Sequence, residues 1–413
     1  MKKPINNKQL IVFDVEGVIV PRRRFIYEIG KNLGFFCLIK MLLLGFFYEI
    51  GILNLKTALS HIFFLMKGFE INSLVNISNK IPLIPQVQNI CNQLKNRNFK
   101  IALISSGLPS QIVKNLGNLV GADYTYGVEI GLKNNRLSGE ISGDVIAKNG
   151  KLKILKKILF IEGLSQSECV VVGDDRNNKS LFLSKIHKIG FNPDFILQVK
   201  ADTVVNGNLS EIIPIIDTGR KIRSGLSKND IFRELTHASG FFIPILASLI
   251  GIISIAVLIL VIMIIYFLSE LLRMNKKNFP IISIITKNAF SNSEIYNFAT
   301  APLSFGLGIM FTLLLFPIPA SSAAIAIFAL GDSAASIFGG RISNEPFLFN
   351  KDKTWEGTLF GFFFAFLAAL FFISPPLAVF GATVAMIFEY IPLPLNDNLI
   401  IPIFTGFILS LIV

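Results

Sequence analysis

The chain has 413 residues, of which 52% are hydrophobic and 16% are charged. This apolar fraction is high for a soluble protein and predicts that part of the chain lies in lipid. Lys and Arg (39) outnumber Asp and Glu (27), and in so apolar a chain this excess favours an anionic membrane surface over nucleic acid. Three widely spaced cysteines, Cys37, Cys91 and Cys169, indicate neither a disulfide framework nor a zinc site.

The first half of the chain has the pattern of a soluble domain. Its first apolar run is short and is interrupted by two carboxylates, which is wrong for a cleavable signal peptide, so we expect this half to stay in the cytoplasm. Over residues 1–216, apolar runs of strand length at 10–13, 101–104 and 170–172 alternate with longer helical stretches. This alternation predicts a Rossmann-like α/β domain with a doubly wound parallel sheet.

Each of these apolar runs ends in a polar cluster. The clusters are Asp14-Val15-Glu16-Gly17, Ser105-Ser106-Gly107 and Gly173-Asp174-Asp175. Ligands of open α/β sheets bind beyond the carboxyl ends of the strands, so we expect the clusters to share one pocket. A carboxylate that follows a strand, as Asp14 does, can attack phosphorus and bind Mg²⁺. Ser105, Lys151 and Asp174 would supply phosphate donors and a metal ligand.

Together these residues resemble the haloacid-dehalogenase-like phosphatases, in their phosphoserine phosphatase branch, over residues 8–215. The resemblance implies a Mg²⁺-dependent phosphatase for a small phosphorylated substrate, with residues 21–81 as the helical cap that selects the substrate. It further implies the following roles: Asp14 as nucleophile and Mg²⁺ ligand, Glu16 as general acid/base, Ser105 and Lys151 as phosphate ligands, and Asp174 as Mg²⁺ ligand.

Two positions depart from the pattern of that family. Glu16 stands where Asp is usual, although homoserine phosphotransferase relatives also have Asp-x-Glu. Asn178 replaces the last Asp of the fourth motif, which removes one negative charge near the metal. The alternative to an active phosphatase is therefore a degenerate domain with a regulatory or nucleotide-sensing role.

Two segments of this half bear on the membrane. Segment 34–51 is apolar except for Lys40 and Glu49, and it is either a buried helix of the cap or a cap helix that touches the membrane. Residues 217–232 are rich in Arg and Lys among Gly and Ser, which predicts a basic linker that approaches anionic headgroups.

Residues 233–413 are predicted to form an all-α polytopic membrane domain. The stretches without charge are 240–268, 299–330, 357–388 and 399–413. A single span needs ~20 residues, and the first three stretches are divided by Gly251, Pro317 and Pro319, and Pro375 and Pro376. The first two loops between these stretches carry Lys and Arg, which by the positive-inside rule places them in the cytoplasm with the first domain. The prediction is an integral, multi-pass protein of the cell membrane with about seven spans.

Charged residues collect at the cytoplasmic ends of these spans, and Asp332 sits slightly inside one. An ionisable residue within a span is costly and is usually retained for a function or a specific partner. Asp332, Glu356 and Asp397, together with Lys353 and Arg341, are the residue types that a nucleotide with Mg²⁺ requires. The alternative is an ordinary belt of snorkelling side chains, and the small residues after Asp332 also suit close helix packing.

At these residues the sequence resembles the CTP-dependent lipid kinases, namely dolichol kinase, phytol kinase and yeast-type diacylglycerol kinase, which are related to phosphatidate cytidylyltransferases. The motifs that carry the resemblance are Gly331-Asp332-Ser333-Ala334-Ala335, Gly339-Gly340-Arg341, Lys353-Thr354-Trp355-Glu356-Gly357, Glu389, Asn396-Asp397-Asn398 and Arg233-Glu234-Leu235-Thr236-His237. Thr354 stands where Ser is usual, and it keeps the hydroxyl. The resemblance implies that Asp332 and Asp397 bind Mg²⁺, that Lys353 and Arg341 bind the CTP phosphates, and that Glu356 has a metal-binding or base role.

The sequence thus leaves three functions open. The first is a CTP-dependent kinase for a lipid alcohol, such as an isoprenoid, fused to a phosphatase-type domain. The second is a cytidylyltransferase that makes a CDP-lipid from a lipid phosphate. The third is a phosphatase whose membrane spans serve only as an anchor.

Overall fold

The computed structural model describes residues 9–49, 51–219, 228–274, 298–341, 350, 353–391 and 396–413. The chain divides into two compact units, Met1–Lys221 and Ile222–Val413, which we call the N-terminal and C-terminal units. The division falls inside the predicted linker at 217–232, of which residues 220–227 lie outside the described part.

A seven-stranded sheet forms the centre of the N-terminal unit. The strands are β1 (Leu10–Asp14), β2 (Lys100–Pro109), β3 (Tyr124–Lys133), β4 (Arg136–Ser142), β5 (Cys169–Gly173), β6 (His187–Phe191) and β7 (Thr203–Val205). Their order is β4-β3-β2-β1-β5-β6-β7, and only β4 runs antiparallel to its neighbour. The three apolar runs of the sequence therefore became β1, β2 and β5 at the centre of a parallel sheet, which confirms the predicted fold of this unit.

Apolar cores cover the sheet on both faces. Ile11 and Phe13 of β1 pack into one core, whereas Leu10 and Val12 pack into the other, because successive strand residues point to opposite faces. The covering helices are α5 (Val87–Asn96), α6 (Ser110–Val120), α7 (Gly150–Ile161), α8 (Phe195–Lys200) and α9 (Ile212–Thr218). Burial on both faces explains why the central strands are continuously apolar instead of alternating.

Of the five described helices between β1 and β2, the first four lie in the part of the chain where the cap was expected. They are α1 (Arg24–Leu33), α2 (Phe35–Glu49), α3 (Leu55–Leu65) and α4 (Ile71–Ser78). Their buried side chains, such as Met41, Phe63 and Leu74, belong to the same core as Phe13. The cap therefore shares an apolar core with the sheet.

The described part of the C-terminal unit is helical. Its helices are α10 (Lys228–Ala238), α11 (Phe242–Ile250), α12 (Ile252–Met274), α13 (Ala301–Leu315), α14 (Ala320–Phe338), α15 (Trp355–Ala369), α16 (Pro375–Tyr390) and α17 (Asp397–Ser410). Breaks occur at Gly251, between Leu315 and Ala320, and before Pro375, where the sequence predicted divisions. Gly251 has φ +94°, a backbone conformation that ends one helix before the next begins.

Two of these helices, Ile252–Met274 and Ala320–Phe338, are long and apolar enough to cross a membrane. They indicate membrane association by length and composition. The other apolar helices of this unit have 9–16 residues, shorter than an ordinary span, so seven spans remain a prediction. Helix α10 begins at Lys228, within the predicted linker at 217–232.

The small residues around Asp332 serve helix packing. A Cβ at Gly331 would lie 3.0 Å from the Cβ of Ala365, and one at Gly361 would lie 3.0 Å from the Cβ of Ala335. Helices α14 and α15 therefore approach so closely that larger side chains would separate them.

The buried aromatic side chains of the sheet should dominate the stability of the N-terminal unit. Phe191 in β6 is 0% exposed, so Phe191→Ala leaves a cavity and should lower the free energy of unfolding by about 3–5 kcal/mol. Phe160 in α7 is 88% exposed, and Phe160→Ala should change it by less than about 0.5 kcal/mol. Urea unfolding of the full chain, monitored by hydrogen exchange in peptides of the N-terminal unit, measures the free energy of unfolding of both variants. Equal effects of the two substitutions would contradict this packing.

Candidate functional site

The carboxyl ends of β1, β2 and β5 bring Asp14, Ser105 and Asp174 to one edge of the sheet. β1 pairs with β2 on one side and with β5 on the other, so the three residues share a pocket. Gly17 closes the turn after β1 with φ +84°, and a Cβ at this position would overlap the carboxylate of Asp174. The glycine is required both by its backbone conformation and by this close approach.

Asp14 is only 6% exposed and is held by hydrogen bonds and an ion pair. Its Oδ1 accepts a hydrogen bond of 2.7 Å from its neighbour, the backbone N–H of Val15, and its Oδ2 lies 2.9 Å from Nζ of Lys151. Lys151 also donates to Oδ1 of Asn178 at 2.8 Å. The ion pair and the hydrogen bonds therefore fix the buried carboxylate of Asp14 at the end of β1.

Asn178 occupies the position where the family pattern has Asp, and both the oxygen and the nitrogen of its amide form hydrogen bonds. The Oδ1 accepts from Lys151, while the Nδ2 donates to Asp14 and, at 3.1 Å, to Asp175. A carboxylate at this position could not donate these hydrogen bonds and would add a further negative charge beside Asp14. Asn178 therefore lowers the negative charge beside Asp14, and it still connects Lys151, Asp14 and Asp175 by hydrogen bonds.

Ser105 and Glu16 flank the same pocket. The Oγ of Ser105 accepts hydrogen bonds from the backbone N–H groups of Gly107 (3.1 Å) and Leu108 (2.8 Å), which leaves its own O–H to donate to a phosphate oxygen. The carboxylate of Glu16 lies against Gly107, where a Cβ would overlap it. Burial raises the pKa of Glu16 to about 7, and repulsion from Asp14 and Asp175 adds to the rise. A carboxyl group with this pKa can give up or take a proton near neutral pH.

Asp14, Asp174 and Asp175 form a group that can hold a metal ion, with one ligand atom from each within 4.8 Å of the others. Burial raises the pKa of Asp174 and of Asp175, and the guanidinium of Arg22 opposes the rise. The Nε of Arg22 donates to Oδ2 of Asp174 at 2.7 Å, whereas Oδ1 of Asp174 is buried without a hydrogen-bond partner among the described residues. Crowded carboxylate oxygens of this kind fit Mg²⁺.

Asp175 was not among the predicted ligands. The sequence placed it inside the cluster that follows β5, but it stands at a variable position of the family motif. Only the turn after β5 shows that its carboxylate, like that of Asp174, faces Asp14.

In the C-terminal unit, Lys353 lies among carboxylates. Its Nζ is 2.6 Å from Oε1 of Glu389 and 3.9 Å from Oδ1 of Asp332. Asp332, in α14, also faces His237 of α10, with 3.8 Å between Oδ2 and Nδ1. The ring of His237 stacks on Phe305 with centroids 4.7 Å apart, which fixes its orientation. The structure thus brings together Asp332 and Lys353, two of the residues that the sequence selected.

Glu234 and His237 complete a second group that can hold a metal ion, with Asp332 as its third member. Glu234 is 3% exposed; its Oε1 pairs with Arg233 at 3.0 Å, and its Oε2 has no hydrogen-bond partner among the described residues. Neither residue was predicted from the sequence to be a metal ligand. The signal that could have found them is the Glu-x-x-His spacing, which places both side chains on one face of α10.

The remaining predicted residues of this unit occupy three helix ends. Asp397 is in the first turn of α17 and is close enough to Lys353 to interact electrostatically. Glu356 is buried in the first turn of α15, and Arg341 is exposed after α14. Among the described residues, the group that can share a metal ion with Asp332 contains Glu234 and His237 instead of Asp397 or Glu356.

Comparisons with known proteins concern the N-terminal unit. The family model of haloacid dehalogenase-like hydrolase matches residues 11–177. The phosphoserine phosphatase of Methanocaldococcus jannaschii is 30% identical over 210 residues, which cover 51% of this chain and 98% of that protein. The phosphoserine phosphatase of Archaeoglobus fulgidus is 32% identical over 196 residues, covering 47% of this chain and 56% of that one.

A solved structure described as a phospho-aspartyl intermediate analogue of phosphoserine phosphatase is similar to 51% of this chain, with 30% identity and a TM-score of 0.47. The similar region of this chain covers 99% of the length of that structure. From the near-complete coverage of the M. jannaschii relative, we conclude that this chain belongs to the haloacid dehalogenase-like hydrolases, its N-terminal unit being a domain of the phosphoserine phosphatase type.

Proposed function

We propose that the N-terminal unit hydrolyses phosphate monoesters, with Asp14 as the nucleophile and Mg²⁺ as cofactor. The observation that carries the proposal is the paired, buried Asp14 beside Asp174 and Asp175, with Ser105 and Lys151 at the same edge of the sheet. Relatives named phosphoserine phosphatases support a small phosphorylated substrate. A degenerate regulatory domain would have no need to keep this complete set.

The proposed reaction has two steps. The carboxylate of Asp14 attacks phosphorus and forms an aspartyl phosphate, while Glu16 gives its proton to the departing alcohol oxygen. Water then attacks the phosphorus, Glu16 accepts its proton, and inorganic phosphate leaves with Asp14 restored. Ser105 and Lys151 bind the phosphoryl oxygens in both steps. Bound Mg²⁺, held by Asp14, Asp174 and Asp175, would offset the charge of the phosphate.

Asp14→Asn should abolish hydrolysis of a generic ester such as p-nitrophenyl phosphate, with a loss of at least about 10³-fold, because an amide cannot form the aspartyl phosphate. The matched control is Asp217→Asn, since Asp217 is an exposed carboxylate that pairs with Arg97 at 2.6 Å. Release of phosphate from the purified full chain measures both variants. Retained activity in Asp14→Asn would exclude the assigned nucleophile.

The pH dependence tests Glu16. Its protonated form is the proton donor, and with a pKa of about 7 this form is lost as the pH rises above 7. The kcat for an alkyl phosphate should therefore fall above about pH 7. Glu16→Gln should lower kcat by about 10²–10⁴-fold and remove this fall. For p-nitrophenyl phosphate, Glu16→Gln should lower the rate of the first step less, because the p-nitrophenolate leaving group needs no proton. An unchanged pH profile in Glu16→Gln would assign the general acid elsewhere.

For the C-terminal unit we propose phosphoryl transfer from CTP to a lipid alcohol, within an integral, multi-pass membrane protein whose N-terminal unit faces the cytoplasm. The supporting observation is the group formed by Asp332, Lys353, His237 and Glu234. Carboxylates and an imidazole can hold a divalent ion, and a lysine can bind phosphate oxygens. Phosphoryl transfer needs mainly such positioning and charge stabilisation.

In this proposal Asp332, Glu234 and His237 hold the ion, with Asp397 as a further ligand once the nucleotide is bound. Lys353 and Arg341 bind the phosphates, and Glu356 contributes a metal-binding or base role. A cytidylyltransferase is the alternative, because the same groups could activate the inner phosphate of CTP.

Membranes incubated with labelled CTP and polyprenol, geranylgeraniol or phytol distinguish these functions. A kinase releases CDP, whereas a cytidylyltransferase releases pyrophosphate. Asp332→Asn and Lys353→Ala should each reduce product formation by at least about 10²-fold, because each removes charge stabilisation of the transferring group. Asp230→Asn, at the start of α10, is the control. Full activity in both variants would exclude the roles assigned to Asp332 and Lys353. If no lipid yields CDP or pyrophosphate, the helices serve as an anchor.

A further inference from the structure

An apolar stripe runs along the exposed side of α2 in the cap. Seven large side chains form it, and we call them the α2 stripe: Phe35, Phe36, Ile39, Leu42, Leu43, Phe46 and Phe47. They recur at helical spacing on one side, and Phe35 and Phe36 are 71% and 80% exposed. The opposite side of α2 contributes the fully buried Met41 to the core. Helix α2 therefore packs into the core through this opposite side and leaves the stripe exposed.

Contiguous apolar surfaces of this kind mark an interaction site, because water solvates them poorly. The charge around the stripe favours one partner. The cap, residues 21–81, contains eight Lys and Arg against three Glu, a formal charge of +5. Lys40 is exposed within the stripe and Lys31 is exposed just before it. Basic residues bordering exposed Phe and Leu are typical of helices that lie in an anionic membrane interface, and they oppose contact with a second copy of the same face.

The location of the stripe connects it with the catalytic pocket. Tyr48 directly follows the stripe, and the guanidinium of Arg176, next to Asp175, lies 5.8 Å from the centroid of the Tyr48 ring. One end of α2 therefore lies beside the catalytic carboxylates. The same chain contains two helices that are long and apolar enough to cross a membrane, so a bilayer is a partner within reach.

We propose that the α2 stripe docks on an anionic lipid bilayer, where it lies at the boundary between headgroups and acyl chains. Lys40 extends its amine to the headgroups while its stem stays apolar. Docking brings the catalytic pocket to headgroup depth. If the proposed phosphatase activity holds, the accessible substrates then include lipids that carry a phosphate monoester, because the reacting group is a small phosphate at the bilayer surface.

Lipid contact can be measured without any activity. The full chain, with Cys37→Ser, carries a nitrobenzoxadiazole label on Leu43→Cys and is reconstituted in vesicles of phosphatidylcholine and phosphatidylglycerol. Brominated phosphatidylcholine should quench this label. A label on Lys157→Cys, an exposed position of α7, should stay unquenched. Equal quenching at both positions, or none at Leu43, would overturn the proposal; a blue-shifted but unquenched label would show that protein covers the stripe.

Activity provides the second measurement. The triple variant Phe36→Ser, Leu43→Ser, Phe46→Ser should hydrolyse soluble p-nitrophenyl phosphate at the rate of the unmodified chain but lose at least about tenfold toward phosphatidic acid in vesicles. Equal losses toward both substrates would overturn the link between docking and substrate. A chain that hydrolyses neither substrate would disprove the phosphatase function alone, since quenching still reports on docking.

Discussion

The ion pair between Asp14 and Lys151 is the interaction on which the N-terminal unit depends. Both groups are nearly fully buried, and burial of a charge is tolerated only where an opposite charge and hydrogen bonds compensate it. The parallel sheet supplies that arrangement, because its strands end at one edge and bring Asp14 between Ser105 and Asp174. The excess of carboxylates at this edge then requires further positive charge, which Arg22 provides in part and which a divalent cation can complete.

A related arrangement occurs in the C-terminal unit on an all-helical scaffold. Lys353 is the cation there, and Glu389 and Asp332 are its carboxylate neighbours. Small residues permit this arrangement, because the close approach of α14 and α15 leaves no room for larger side chains around Gly331. In both units a lysine thus compensates several carboxylates that lie in a poorly solvated place.

Much of this architecture could be predicted from the sequence. Apolar runs identified the three central strands, and the polar residues that follow them identified Asp14, Ser105 and Asp174 as neighbours. Gly251 and the prolines marked the helix breaks. Asp175, Glu234 and His237 were not predicted as possible metal ligands. The Glu-x-x-His spacing marks the last two as a pair, but only the tertiary structure shows that this pair faces Asp332. Segment 34–51 could be read as a buried or an exposed helix, since an apolar composition does not reveal which side of a helix faces the core.

By itself, then, the sequence determined the α/β class of the N-terminal unit, the helical class of the C-terminal unit and the positions of the helix breaks, because hydrophobic periodicity and chain breakers act locally. The tertiary structure alone decided which charges meet. It showed that Asn178 links Lys151 to Asp14, that His237 faces Asp332, and that the outer side of α2 is apolar and exposed. These facts depend on packing between segments far apart in the chain, and neither composition nor spacing encodes them.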